Sequence, residues 1–410
     1  MQIRTSLCAA ASVLLLVTIP AAVADEPPAA APATALPSGA DKPSPLSMKQ
    51  KFKVETVVES LEVPWAMVFR PGSGGGGAAG GGGGGEAGAP DMFITERRGR
   101  VRLYAAGKLD PKPYFEVPGV KTGRGEIGLM GICLHPDYTK NKYVYLSFGH
   151  TDGDVRVVRY KDTGTTLEED KVIMKGAPAG VNHAGCAIAF GPDKKLYITT
   201  GEMFKRQLAQ DMSSLGGKTL RVNDDGTIPE DNPFVGKKDA RPEIWSLGHR
   251  NAQGIDWQPG SNLMFQSEHG PSGEAGTGGD EVNIVEKGKN YGWPTIHHRT
   301  QKEGLEPPIV EWSPAIAPAS GRFYAADVFP ELKGNFLVGA LVGESLWRIV
   351  LDGRKVVCYQ KLIGDEYGRI RAVVQGPDGL IYFTTSNRDG RGRPAKTDDR
   401  VLRIVPVSGG

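Results

Sequence analysis

The sequence has little cysteine, almost no net charge and no long apolar run beyond its first residues, and each shortage removes a class of function. Four cysteines in 410 residues, with no C-x-x-C pair, leave neither a zinc cluster nor a dense disulfide framework. Cys8 falls in the N-terminal segment, so Cys133, Cys186 and Cys358 read as buried free thiols rather than a bridge and a leftover. Lys plus Arg is 49 and Asp plus Glu 47, a net charge of +2, too weak a field to argue for nucleic acid or an anionic membrane. No run after residue 24 approaches the about 20 apolar residues of a membrane span. What is abundant is glycine, 56, and proline, 30. That composition argues for a turn-rich, all-β architecture over a helical bundle.

The first residues read as an export signal. Arg4 supplies a positive start, Leu7 to Ala22 is apolar, and Ala22-Val23-Ala24 is a cleavage pattern ahead of Asp25. Residues 1–24 are therefore expected to be a signal peptide and the mature chain periplasmic or secreted, an uncleaved anchor being the alternative. Residues 25–51 are rich in Pro and Ala and read as a tether. A glycine-rich tract over 73–89 interrupts strand-like sequence on both sides and reads as a surface insertion within a hairpin.

From Phe52 onward the chain repeats itself. Pro71, Pro136, Pro192, Pro259, Pro330 and Pro377, spaced 47 to 71 residues apart, each sit in a turn followed by a short β-rich run. The runs are DMFITE, KYVYLSF, KKLYITTGE, SNLMFQSE, GNFLVGAL and GLIYFTTS. Several are preceded by another apolar strand, as in IGLMGICLHPD, CAIAFGPD and IRAVVQGPDG. One such unit cannot bury its own faces, whereas several arranged radially can. Six units predict a six-bladed β-propeller over 52–410, with a β-sandwich as the alternative.

Function in a propeller lives in loops at the mouth of its channel. Four loops carry more polar groups than a turn needs. In VNHAGCAIAF, His183 precedes Glu202 by nineteen residues, so that adjacent strands of one blade could let the carboxylate orient the imidazole as a base; a turn-bonding histidine is the bland reading. LGHRNAQGIDW offers Arg250, Asn251 and Gln253 to an anionic or carbonyl-bearing ligand, or is a surface loop. SEHGPSGEAGTGGDEVNIVEKGKNYGWP mixes Glu268, Asp280 and Glu281 with glycine-exposed carbonyls, the donors of a hard cation such as Ca²⁺, or is a solvated acidic loop. In YGRIRAVVQGPDG, Arg369 and Arg371 are two apart in a strand and share a face, which suits an anion opposite them, or a solvated edge. Lys205 and Arg206 of MFKRQ read as a solvated loop.

In combination and order, GLMGICLHPDY, NHAG, LGHRNAQG, EHGP with GGDEVN, NYGWP, GRIR and TTSNRDGRG resemble the soluble pyrroloquinoline-quinone (PQQ)-dependent sugar dehydrogenases of the glucose/sorbosone family, from about Val63 to Ile404. The resemblance implies PQQ and Ca²⁺ as cofactors, a sugar substrate oxidised at its anomeric carbon to the lactone, and an external electron acceptor of unknown nature. It implies His183 as base, Glu202 as its acidic partner in place of the usual aspartate, and Arg250 beside the reactive carbonyl. Glu126, Asn182, Gln207, Asn251, Arg369 and Arg371 fall at cofactor-contact positions. Glu281 with the main-chain carbonyls of Gly270, Pro271 and Tyr291 falls at the calcium site. Three positions depart from the family pattern. Glu126 stands for a usual glutamine, Val342 for a common lysine, and Cys186-Ala187 follow Gly185 where a second glycine and a polar residue are usual. A propeller that has lost the quinone and binds a glycan or protein is the second reading. A calcium-dependent sugar lactonase is the third, for which the sequence shows no channel of side-chain metal ligands.

Overall fold

Each of the six short runs that follow a proline turn forms the second strand of an antiparallel sheet, and the sheets are the blades of a propeller. The computed structural model describes residues 48–71, 89–271 and 277–407. The expected signal peptide, residues 25–47 of the expected tether and the glycine-rich tract as far as residue 88 lie outside these.

Blade 1 is Pro64–Phe69, Met92–Glu96, Arg100–Ala105 and Lys108–Leu109, with Phe115–Glu116 added to its third strand. Blade 2 is Leu129–Leu134, Tyr143–Gly149, Asp154–Asp162 and Leu167–Pro178, and blade 3 is Ile188–Phe190, Leu196–Thr199, Lys218–Val222 and Ile244–Leu247. Blade 4 is Ala252–Trp257, Met264–Glu268, Asp280–Val285 and Val310–Trp312, and blade 5 is Pro318–Phe323, Phe336–Ala340, Ser345–Asp352 and Lys355–Ile363. Blade 6 takes Ile370–Gln375, Ile381–Thr385 and Val401–Pro406 from the C-terminal part and Phe52–Val58 from the other end of the chain. That last strand pairs with Val401–Pro406, Val54 facing Ile404, and closes the ring.

The first strand of each blade touches the first strands of the two flanking blades, giving an inner ring of six. Second strands are covered on both faces by neighbouring blades, which is why they read as continuous apolar runs rather than alternating ones. Met92–Glu96 and Phe336–Ala340, for example, are buried at every residue. The core is accordingly a set of clusters between blades. Phe93, Leu129, Val144 and Phe148 join blades 1 and 2, while Met67, Met92, Ala372 and Tyr382 join blades 1 and 6. Cys133, Cys186 and Cys358 are free; Cys186 is buried and the other two half-buried. Among the described residues no helix is long and apolar enough to cross a membrane.

Candidate active site

The topology decides where the polar loops go. Neighbouring strands within a blade are antiparallel, so the loop entering a first strand and the loop leaving a second strand lie at the same end. Twelve such loops from six blades converge on one face. Those entering blades 2 to 6 and those leaving the second strands of blades 3 to 6 line a pocket of about 510 Å³, within the range of ligand sites.

His183 lines this pocket from the loop entering blade 3, and Glu202 lies on the loop leaving the second strand of the same blade. His183 Nδ1 meets Glu202 Oε1 at 2.8 Å, with both side chains buried. Nδ1 thus donates to the carboxylate, and Nε2 takes no hydrogen bond among the described residues. The loops approach this closely because of Gly201, where a Cβ would fall 1.9 Å from the His183 carbonyl. The main chain at His183 is left-handed, φ 55°, and its N–H donates to Glu126 Oε2 at 2.9 Å. Glu126 therefore holds the backbone of His183 while Glu202 holds the ring.

Glu126 spends its remaining capacity on protein donors as well, Asn251 Nδ2 at 3.1 Å and Gln253 Nε2 at 3.3 Å. Burial opposes its ionisation, but His269, His183 and Arg371 and the Asn251 hydrogen bond outweigh this and hold the carboxyl below the usual range. Asn251 is fully buried beneath the pocket, bonded to Glu126 and to the Gly185 N–H, and acts as framework rather than lining. Asn182 lines the pocket. Gln207 does not: it is exposed on the 3-10 turn Arg206–Ala209, which turns it away from the lining.

Four arginines line the pocket: Arg250, Arg369, Arg371 and Arg391. Arg369 sits one residue before the strand Ile370–Gln375 rather than inside it, yet it converges with Arg371 on Asp389, at 2.8 and 3.6 Å. Both guanidinium groups are buried, and Arg371 lies 3.8 Å from the centre of the Trp65 ring. Burial pushes Arg371 down to about 10, against the pull of Asp389 and Glu126, and its Nη1 has no hydrogen-bond partner. A buried cation with an unspent donor calls for an anionic acceptor from a ligand. Arg250 is aimed by its own loop: its N–H donates to Glu268, Nη1 donates to the His269 carbonyl at 3.2 Å, and the guanidinium lies 5.6 Å from the Trp293 ring centre. Against these cations stand two carboxylates, Glu126 and Asp389, so the lining is net positive.

A second cavity, about 10 Å³, adjoins Arg250 and is lined by Pro271, Glu281 and Tyr291. Gly270 lies beside it, its N–H held by Asp280 Oδ1 at 2.8 Å. The space suits one water-sized occupant. Burial, together with Glu268, Asp280 and Glu311, pushes the Glu281 carboxyl well above its ordinary value, against the Asn283 hydrogen bond. A carboxylate crowded by carboxylates next to main-chain carbonyls is a hard-oxygen donor set that a cation would relieve. Among the described residues no group of three or more His, Cys, Asp or Glu side chains could hold a metal, so a cation here would rest mainly on carbonyls.

Among the lining residues that sequence reasoning missed, four carry an ionisable or aromatic side chain: His269, Phe204, Arg391 and Asp389. His269 Nε2 is buried without a partner, and burial holds the imidazole below its usual value. Arg391 is exposed, and its guanidinium donates to Asn182 Oδ1 at 3.2 Å and meets no carboxylate among the described residues. Arg391 and Asp389 lie within TTSNRDGRG, a motif visible in the sequence but given no role.

Comparison with known proteins agrees with this architecture. The family model Glucose / Sorbosone dehydrogenase matches residues 86–396. The aldose sugar dehydrogenase YliI of Escherichia coli (strain K12) is 34% identical over 358 residues, 82% of this chain and 91% of that protein. Quinoprotein glucose dehydrogenase B of Acinetobacter calcoaceticus is 31% identical over 280 residues, 60% of this chain and 53% of that one. Among solved structures, the PQQ-bound form of aldose sugar dehydrogenase from Streptomyces coelicolor is similar with a TM-score of 0.73 at 35% identity, over 88% of this chain and all of that chain. A propeller with these relatives, and with a carboxylate-held histidine and four arginines in one pocket, belongs to the glucose/sorbosone dehydrogenase family.

Proposed function

We propose that the protein is an exported quinoprotein dehydrogenase that oxidises the anomeric carbon of aldose sugars to lactones with PQQ and Ca²⁺. The observation that carries this reading is the meeting, in one pocket, of a histidine whose Nε2 takes no hydrogen bond among the described residues and of buried arginines, of which Arg371 keeps an unpartnered Nη1. PQQ is a planar tricarboxylate, and a net-positive lining of ligand size with an unpartnered Arg371 Nη1 fits it. Glu281 with the carbonyls of Gly270, Pro271 and Tyr291 fits calcium on donor chemistry.

When bound, the quinone supplies the two-electron acceptor that the protein lacks, and calcium adds a fixed positive charge beside it. His183 Nε2 accepts the proton of the anomeric hydroxyl, and Glu202 stabilises the imidazolium that forms. Arg250, aimed by Glu268, His269 and Trp293, holds a fixed cation where negative charge develops. Arg369 and Arg371 anchor carboxylates. Glu126, which together with Val342 would favour a propeller without quinone, has both oxygens engaged by protein donors, which supports a structural use for its charge. With the quinone bound, an external acceptor would be needed to take the electrons onward.

Calorimetric titration of the metal-stripped mature protein with PQQ, with and without Ca²⁺, followed by dye reduction over a panel of aldoses, tests the reading. Calcium-dependent binding with turnover that disappears in His183→Ala is expected. A folded protein that takes calcium but does not bind PQQ at high micromolar concentration would overturn it in favour of a binding module. The N-terminal pattern supports export: mature protein beginning at Asp25 in the periplasm or medium is expected, and a cytoplasmic chain retaining residues 1–24 would refute it.

A further inference from the structure

Phe204 is expensive where it stands. Its side chain is 55% exposed, and with Val342 at 60% and Val181 at 56% it makes up the three most exposed large apolar side chains among the described residues. Phe204 and Val342 both line the pocket, and Val181 lies next to Asn182 in the loop that carries His183. The backbone at Phe204 is left-handed, φ 60°, directly after Met203 at φ 57°. Bulky residues rarely accept that conformation, and two in succession are costlier still.

The loop is nonetheless held firmly. Met203 N–H donates to the His183 carbonyl at 3.4 Å, Lys205 N–H to the Glu202 carbonyl at 2.8 Å, and the buried Lys218 Nζ to the Leu208 carbonyl at 2.6 Å. The result sets the Phe204 ring against the imidazole of His183, centroids 3.9 Å apart and planes tilted by 37°. Both side chains line the pocket, and Nε2 of His183 takes no hydrogen bond among the described residues. An exposed, strained aromatic held beside the base is an outlier from which function can be inferred.

We propose that Phe204 is the substrate platform, a positioning residue on which an aldopyranose lays its C–H face with its anomeric hydroxyl at His183 Nε2; this rests on the dehydrogenase reading above. A pyranose ring carries polar edges and apolar C–H faces, and an aromatic ring is the side chain that matches such a face. Val342 and Leu341 extend the apolar wall of the same pocket, so the arginines serve the anionic cofactor and the apolar rim serves the sugar.

The test measures PQQ affinity by calorimetry, then kcat and KM for glucose across pH, for the wild type and for Phe204→Ala, Phe204→Leu and Phe204→Trp. Phe204→Ala is expected to raise KM about tenfold with PQQ affinity and the pH profile of kcat/KM unchanged, Phe204→Leu to fall between, and Phe204→Trp to restore the wild-type KM. Saturation-transfer NMR with aromatic irradiation should reach the sugar C–H protons in the wild type and lose intensity in Phe204→Leu. A KM unchanged in Phe204→Ala, or a shifted pH profile with KM unchanged, overturns the platform and leaves Phe204 as a shield for His183 and Glu202. A wild-type protein that binds no PQQ overturns the dehydrogenase reading itself, which separates the two failures.

Discussion

Exchanging Glu202 for glutamine separates charge from shape at the centre of the site. The carboxylate meets His183 Nδ1 at 2.8 Å, is fully buried, and has a second oxygen, Oε2, with no partner. Glutamine keeps the volume and can still present a carbonyl oxygen to Nδ1, so packing is preserved. What disappears is the negative charge facing the imidazolium that forms when His183 takes a proton. Two unit charges about 4 Å apart interact by about 4 kcal/mol at an effective dielectric of about 20. At about 1.4 kcal/mol per decade that is a loss of roughly 10³-fold in kcat/KM, inside the usual span for a positioned acid–base group. An amide nitrogen turned toward Nδ1 would add to the loss by forcing the proton onto Nε2. Dye-linked turnover of the PQQ- and calcium-loaded protein gives kcat/KM, calorimetry gives PQQ affinity, and thermal unfolding checks the fold. Glu202 does not line the pocket, so PQQ affinity should stay within about threefold and Tm within a few degrees. Glu202→Asp, which keeps the charge on a shorter arm, should lose less than the amide. A Glu202→Gln enzyme that retains a third or more of wild-type kcat/KM would refute the reasoning and reduce the pair to a fold contact.

Three further outcomes are expected. Arg391→Gln, which removes a pocket cation with no carboxylate of its own, should weaken PQQ binding about tenfold, and Val342→Lys should strengthen it comparably; both effects shrink in high salt because both side chains are exposed, and titrations at two salt concentrations check this. Glu281→Gln should raise the Tm of the metal-free protein by about 2–4 °C by removing a charge crowded by Glu268, Asp280 and Glu311, and should abolish the rise in Tm that Ca²⁺ gives the wild type. Asp399, buried at the seam where Leu61 and Val63 meet blade 6, is pushed by burial from 3.8 to about 6, against backbone donors at Asn387, Arg388 and Val63, with Asp398 adding to the rise. A carboxyl raised in the folded state stabilises below its unfolded value and loses that contribution as pH climbs through about 6. Urea unfolding should therefore show wild-type stability falling by up to about 3 kcal/mol relative to Asp399→Asn between about pH 4 and 6.5, and a constant gap would refute the assignment.

The blades were legible because their second strands are buried on both faces and so appear as uninterrupted apolar runs after proline turns. The closing strand was not legible. Phe52–Val58 pairs with Val401–Pro406, and Glu55 meets Arg403 across 348 residues, a pairing that leaves no local mark in either segment. In the site, His183, Asn182, Arg250, Arg369 and Arg371 reach the pocket as their motifs suggest, whereas Asn251 lies beneath it and Gln207 faces solvent. Motif position carries a residue to the correct loop but does not set its rotation: Gln207, on the 3-10 turn Arg206–Ala209, is exposed and off the lining, while Phe204 three residues earlier is on it. The missed residues obey one geometric condition. Phe204 and His269 stand five and one residues past the second strands of blades 3 and 4, which end at Thr199 and Glu268, and Asp389 and Arg391 stand four and six past that of blade 6, which ends at Thr385. Those strand ends are readable from the apolar runs alone, and antiparallel pairing sends every one of them to the face where the first strands begin. Joining these two facts makes the residues just beyond each apolar run candidates for the pocket wall, whether or not they belong to a recognised motif.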